Sequence, residues 1–327
     1  MSKKTIKKIG ILTSGGDSPG MNCAIRSLVR YGLGAGYKMY GIHRGYSGLL
    51  NNEIEELSAS SVGNILQRGG TILYTSRSPE FKEKAYREKA HQILKDHDID
   101  ALVVIGGDGS FMGAKAFSDE FGIPVVGIPG TIDNDILGTE YTIGFETAVQ
   151  TAVEAVDKIR DTAFSSDRTF LIEVMGARSS SIAIKVGICT GAENILLYNQ
   201  KIDYKKIADD IRRGIRRGKN SSIVIVAEGE KPGRSYDIAH VLQDMHHISS
   251  KVCILGHIQR GGSPVAHDRF ISSLMGKEAI DTLSRGEMAR AIVVRQNKIL
   301  SVPLEECFGK SDANFAHFVG ITEALSI

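Results

Sequence analysis

ALVVIGGDGSFMGA, residues 101–114, joins six apolar residues to a glycine-rich turn and then to a helical period. A run that is apolar at every position predicts a strand covered on both faces, which is the habit of parallel sheets flanked by helices. The same pattern recurs along the chain. Strands are predicted at KKIGILT (7–13), KMYGIH (38–43), PVVGI (124–128), FLIEVM (170–175), SIVIVAE (222–228) and KVCILG (251–256), with helical stretches such as Met21 to Leu33, Thr147 to Arg160 and Tyr204 to Arg217 between them. Alternation of this kind predicts an α/β protein with right-handed crossovers. At 327 residues the chain has the length of about two domains. Pattern alone puts a soft boundary near 140 to 150, with no low-complexity linker and no internal repeat.

Composition excludes several classes. Lysine and arginine number 40 against 38 acids, so the balance calls for neither nucleic acid nor a membrane surface. The run IRRGIRRGKN (211–220) reads as an exposed helix or an anion site rather than a nucleic-acid contact. Cys23, Cys189, Cys253 and Cys307 have no metal-ligand spacing and read as free thiols of a reducing compartment. No apolar run reaches the length of a membrane span, and MSKKTIKKIGIL lacks the apolar core of a signal peptide, so a cytoplasmic protein is expected.

In open parallel sheets ligands collect beyond the carboxyl ends of the strands. Four loops there stand out: TSGGDSPGMN (13–22), IGGDGSFMGA (105–114), PGTIDND (129–135) and GHIQRGGSP (256–264). The first two combine a glycine pair, an aspartate and a following helix. Glycines let backbone N–H groups approach an anion, and the helix terminus adds its dipole. Neither loop is a Walker A or GxGxxG motif, and one GGDG turn alone equally suits an aspartate helix cap. Asp108 is a candidate Mg²⁺ ligand, with phosphates and waters completing the shell. Asp133 and Asp135 lie two apart in a turn, where a solvated loop is the plain alternative. For phosphoryl transfer, Asp133 suits the base, Asp135 its partner, and Thr131 a group steadying the phosphoryl. His257 and Arg260 suit the grip on a sugar phosphate.

Taken together, TSGGDSPGMN, QRGGT (67–71), IGGDGS, PGTIDND, IRDT (159–162), EVMG (173–176) and LGHIQRGGSP resemble, in order, the motifs of bacterial-type ATP-dependent 6-phosphofructokinases. The resemblance runs from about residue 8 to at least 285. It implies two three-layer α/β domains with mainly parallel sheets: 1–144 plus 259–309 for ATP, and 145–258 plus 310–327 for the sugar phosphate and effector. It further implies a homotetramer and transfer of the ATP γ-phosphoryl to fructose 6-phosphate in glycolysis. By the same resemblance Gly16, Tyr46, Arg77, Ser78, Gly107, Asp108, Gly109 and Ser110 form the ATP site, with Mg²⁺ on Asp108. Asp133, Thr131, Asp135 and Arg77 take the catalytic roles. Met175, Gly176, Ala177, Glu228, His257 and Arg260 line the sugar-phosphate site, joined by Arg168 and Lys251 of a neighbouring subunit. Arg26, Arg30, Arg160, Glu193, Arg217 and Lys219 match an effector site for ADP or phosphoenolpyruvate. Gly109 and Gly130 are expected to leave room for ATP, where pyrophosphate-using relatives carry larger residues.

Three departures stand against that pattern. Ala177 replaces an arginine that follows EVMG, and Arg178, one place later, is expected to reach inward in its stead. Lys251 replaces an arginine and loses its forked geometry. Ala59 and Ser60 replace an Arg-Tyr pair of the effector site. These departures keep two alternatives in view: a kinase for another acceptor, such as tagatose 6-phosphate or sedoheptulose 7-phosphate, and a catalytically weak regulatory subunit. A lipid-kinase reading of the GGDG turn is disfavoured by GHIQRGGSP and by the lack of an interfacial helix.

Overall fold

The computed structural model describes residues 6–309 together with Phe318, Gly320, Ile321 and Ala324. Along the described chain run β1 (Lys8–Ser14), α1 (Met21–Gly34), β2 (Lys38–Ile42), α2 (Gly45–Leu50), β3 (Ile54–Leu57), α3 (Lys84–Asp96), β4 (Ala101–Gly106), α4 (Asp108–Phe121), β5 (Val125–Pro129) and α5 (Phe145–Ser165). Then follow β6 (Thr169–Val174), α6 (Ser181–Thr190), β7 (Asn194–Leu196), α7 (Tyr204–Arg216), β8 (Ser222–Ala227), α8 (Arg234–His246), β9 (Ser250–Ile254), α9 (Ala266–Ser284), β10 (Arg290–Arg295) and β11 (Lys298–Pro303). All seven predicted strands and the three named helices are present, with ends shifted by a residue or two at most sites.

The described residues divide into two compact units. Among the described residues the first takes the chain as far as Ile132, then Ile136–Thr147, then 260–309; the second takes Asp133–Asp135, Ala148–Gln259 and the few described residues beyond 309. The sequence-based divisions stood at 144/145 and 258/259. The expectation that 310–327 joins the second domain falls almost wholly outside the described residues.

In the first unit seven strands run in the order β11-β10-β5-β4-β1-β2-β3, parallel except for β3 and β11 at the edges. The pleat sorts side chains strictly by parity. Ile9, Ile11, Val103 and Ile105 face α1 and α9, through Met21, Leu28, Met275 and Ile280. Leu12, Leu102 and Val104 face α3 and α4, through Leu94, Phe111 and Phe117. Each such side chain, taken out of water, contributes about 1.5–3 kcal/mol. Gly276 lets α9 close on α1, since a β-carbon there would stand 2.7 Å from that of Ser27.

The second unit has an all-parallel sheet, β7-β8-β6-β9. Leu171, Val224 and Val226 pack on Ile207 and Ile211 of α7 and Ile238 and Leu242 of α8. Asp203 caps α7 by accepting the Lys206 N–H at 2.9 Å. Two buried carboxylates perform the same task at a distance. Glu173, inside β6 and fully buried, accepts the N–H groups of Gly233 (2.7 Å) and Ser235 (2.8 Å) at the start of α8. Asp268 accepts those of Gly144 (2.9 Å) and Thr147 (2.8 Å) at the start of α5. Among the described residues no helix is long and apolar enough to cross a membrane.

Candidate active site

Strand order places a crevice in each sheet. β1 leads through α1 to β2 on one side, and β4 leads through α4 to β5 on the other, so the loops after β1 and β4 diverge. In the second sheet the neighbours β6 and β8 also send their connections in opposite directions, β6 past β8 to β7 and β8 past β6 to β9. Such switch points are where parallel sheets bind ligands.

The first crevice is closed at its base by backbone. Ser110 donates through Oγ to the Ser14 carbonyl at 3.1 Å, and a β-carbon on Gly106 would lie 2.5 Å from that same oxygen. Asp108 opens α4, and burial raises its carboxyl above the ordinary aspartate value. A β-carbon on Gly109 would meet nothing within 4 Å, so the first turn of α4 presents bare backbone to open space. A β-carbon on Gly130 would stand 2.9 Å from the Ile105 and Met21 side chains, so the core also favours a glycine there.

Tyr46 is 4% exposed, its ring stacked on Phe81 at 3.9 Å and its hydroxyl donated to the Ser110 carbonyl at 2.7 Å. It supports the α4 turn from beneath. Arg77 is exposed and Ser78 half-buried, with the Ser78 hydroxyl on Glu80 at 3.2 Å. Arg260 lies over Gly16: its Nη1 donates to the Asp17 carbonyl at 3.1 Å and sits 2.4 Å from the point a Gly16 β-carbon would occupy. The structure thus joins a residue expected at the nucleotide to one expected at the sugar phosphate.

Beyond β5 the chain leaves the sheet at Gly130 and returns at Ile143, where the two pair as an isolated parallel bridge. The Thr142 hydroxyl donates to the Thr131 carbonyl at 2.6 Å across this neck. Asp133 and Asp135 stand half-buried in the excursion, on either side of Asn134 in a left-handed conformation (φ 49°).

In the second crevice, Met175, Gly176 and Ala177 form a tight turn after β6. The Ser179 N–H reaches the Gly176 carbonyl at 2.6 Å, and Gly176 takes φ 144°, which suits a residue without a β-carbon. Ala177 is itself left-handed (φ 47°), and its N–H donates to Glu228 Oε1 at 3.3 Å. Sequence reasoning expected Arg178 to reach inward here. It does not: its side chain is 70% exposed and pairs with Glu230 at 3.6 Å. The left-handed residue before it turns the guanidinium onto the surface. His257 is exposed on a short 3₁₀ turn, Gly256–Arg260.

Arg168 and Lys251 are not brought to this crevice. Arg168 precedes β6 and Lys251 is the second residue of β9, both exposed at the amino end of the sheet. Met175 follows the carboxyl end of β6, a strand of six residues that spans roughly 20 Å. Of the expected effector residues, Glu193 is buried, with its carboxylate on the Ile223 N–H (2.6 Å) and the Lys219 ammonium (3.2 Å), while Arg160 donates to the Thr190 carbonyl. Arg26 and Arg30 lie on α1 in the first unit, and Arg217 ends α7 in the second. Ala59 and Ser60 are exposed, with Ser60 on the Ser58 hydroxyl at 2.7 Å.

The sequence profile of the family described as phosphofructokinase matches residues 8–283. The chain belongs to the phosphofructokinase family. It is 48% identical over 311 residues to the ATP-dependent 6-phosphofructokinase of Staphylococcus carnosus, covering 95% of this chain and 96% of that one. It is 47% identical over 322 residues to the ATP-dependent 6-phosphofructokinase of Natranaerobius thermophilus, covering 98% and 100%. Among solved structures, the phosphofructokinase of Pichia pastoris in the T-state superposes with a TM-score of 0.87 at 35% identity over 94% of this chain; this chain spans 38% of that longer one. Family membership explains the order of the glycine-rich loops.

Two residues of this phosphofructokinase site escaped sequence reasoning. Glu173 was given no role beyond its place in FLIEVM and EVMG, and Gln259 none beyond its place in GHIQRGGSP. Both are fully buried; Glu173 accepts two backbone N–H groups at the start of α8 and Gln259 accepts that of Met175, beside the second crevice. The signal available for Glu173 was a carboxylate in a strand whose other positions are apolar, where burial demands partners.

Proposed function

We propose that this protein is an ATP-dependent 6-phosphofructokinase of glycolysis, moving the γ-phosphoryl of ATP to the 1-hydroxyl of fructose 6-phosphate in the cytoplasm. The observation that carries the reading is the bare first turn of α4: Asp108 leads it, and Gly109 opens it to space. Near-full-length likeness to enzymes of that name supports the donor and the acceptor.

On this reading the N–H groups of Gly107 to Ser110 and the α4 dipole hold the ATP phosphates, with Gly16, Tyr46, Arg77 and Ser78 as further parts of the donor site. Among the described residues no three His, Cys, Asp or Glu side chains group as a metal cage. This fits Mg²⁺, which keeps its waters and binds through one or two carboxylates plus substrate phosphates. Asp108 is the carboxylate for it, and the ion, when bound, offsets charge on the phosphates. Asp133 takes the proton of the acceptor hydroxyl, with Asp135 beside it and Thr131 steadying the phosphoryl. Met175, Gly176, Ala177, Glu228, His257 and Arg260 hold the sugar phosphate.

Arg168 and Lys251, at the far end of their own sheet, complete a neighbour's site in a homotetramer. Arg26, Arg30, Arg160, Glu193, Arg217 and Lys219 take an ADP or phosphoenolpyruvate effector between subunits. The test is ADP release from Mg-ATP by purified protein, with and without fructose 6-phosphate. Brisk release that depends on the sugar is expected. Release that ignores the sugar, or none at all with ATP bound, would overturn the assignment.

A further inference from the structure

Gln259 is fully buried, and its Oε1 accepts the Met175 N–H at 2.9 Å. Because that N–H can only donate, the amide oxygen must face it, and Nε2 must point away. Nε2 is itself buried and, among the described residues, meets no hydrogen-bond partner. An apolar side chain of similar volume would remove the unsatisfied Nε2 but leave the buried Met175 N–H without its acceptor. The cost is explained if the acceptor oxygen is what the position requires.

What that oxygen holds is the first residue of the turn in the second crevice. Met175 leads into Gly176 and the left-handed Ala177, whose N–H in turn meets Glu228. The turn has little slack, with Ser179 N–H closing on Gly176 at 2.6 Å. A shift at Met175 is therefore passed to Ala177 and Glu228. The next residue, Arg260, belongs to the first unit and is anchored there on the Asp17 carbonyl.

We propose that Gln259 is a positioning residue, setting the Met175–Ala177 turn at the height from which Met175 and Glu228 meet the acceptor. This rests on the acceptor reading given above and adds a residue to it. The test compares Gln259→Met, which removes the acceptor oxygen, with Gln259→Glu, which keeps it as a buried neutral carboxyl. Steady-state kinetics on the full-length protein, with amide hydrogen exchange at Met175, read the outcome.

Gln259→Met is expected to raise KM for fructose 6-phosphate about five- to tenfold, with KM for ATP within about twofold, and to speed exchange at Met175 about tenfold. Gln259→Glu is expected to restore both toward the parent. A folded Met variant with unchanged KM and unchanged exchange would overturn the proposal. So would a fall in kcat with both KM values rising together, which marks general loosening. If the parent itself does not use fructose 6-phosphate, the assigned reaction fails, and exchange at Met175 alone decides on Gln259. If the Met variant does not fold, the Glu variant decides: loss of acceptor affinity or of Met175 protection there refutes it.

Discussion

The guanidinium of Arg260 occupies the space over Gly16, 2.4 Å from where a β-carbon at residue 16 would stand. Gly16 follows β1 and Arg260 closes the loop after β9, so the glycine of one loop and the cation of the other are one packing unit. Gly16→Ala therefore evicts the guanidinium while leaving the backbone unstrained. Displacing a substrate-positioning group by about 1 Å costs up to about 100-fold. We expect kcat/KM for the sugar phosphate to fall about 10- to 100-fold, while the thermal midpoint moves little because a flexible side-chain end is what yields. Calorimetry beside steady-state kinetics checks both halves.

Asp133→Ser should lower kcat about 10²- to 10⁴-fold with ATP affinity kept, the effect of removing a general base. Equilibrium ATP binding and single-turnover rates separate the two. Equal rates in variant and parent would remove Asp133 from the chemistry.

Asp108 offers a pH test. Burial raises its folded-state pKa, so folding favours its neutral form. Its contribution to stability is full below the ordinary aspartate pKa and is lost as pH rises through the raised value. Asp108→Asn should then be more heat-stable than the parent near neutral pH, with the difference closing as pH falls into the ordinary aspartate range. The same variant should lose about 100-fold or more in transfer rate. Thermal scans across pH, paired with activity, test the sign.

Ala177 carries the cost of a left-handed residue with a β-carbon. Ala177→Gly should stabilise the protein by about 1 kcal/mol in urea titration. Ala177→Arg adds no further backbone strain and restores the cation that Arg178, turned to Glu230, does not supply. We expect it to raise kcat about tenfold. A fall would show that the turn has no room for a guanidinium.

Much of this fold was legible because its central strands are apolar at every position, as in ALVVIG. What escaped was marked differently. β3 reads IEEL because it pairs on one side only and leaves two acids in solvent. β7 has three residues. β10 and β11 meet across Gln296 and Asn297, both left-handed, a two-residue hairpin without the Asn-Gly or Asp-Gly that announces one. The glycine loops were legible as a set, since backbone approach to anions needs glycine. Their fine geometry was not. Nothing in the letters says that Tyr46 lies under Phe81, that Arg178 turns outward, or that the core favours Gly130. These depend on contacts between residues far apart in the chain.

The interrupted first unit also sets an order of events during synthesis. Its sheet needs β10 and β11, and its helix layer needs α9, all made after residue 260. The second sheet is complete once β9 leaves the ribosome. The inserted unit therefore closes first, while β5 still waits with one edge uncovered. A nascent chain whose β9 has emerged while β10 has not pairs a complete second sheet with an exposed parallel strand, the state most open to intermolecular pairing. Chaperone demand should peak in that window of translation and fall as β10 docks.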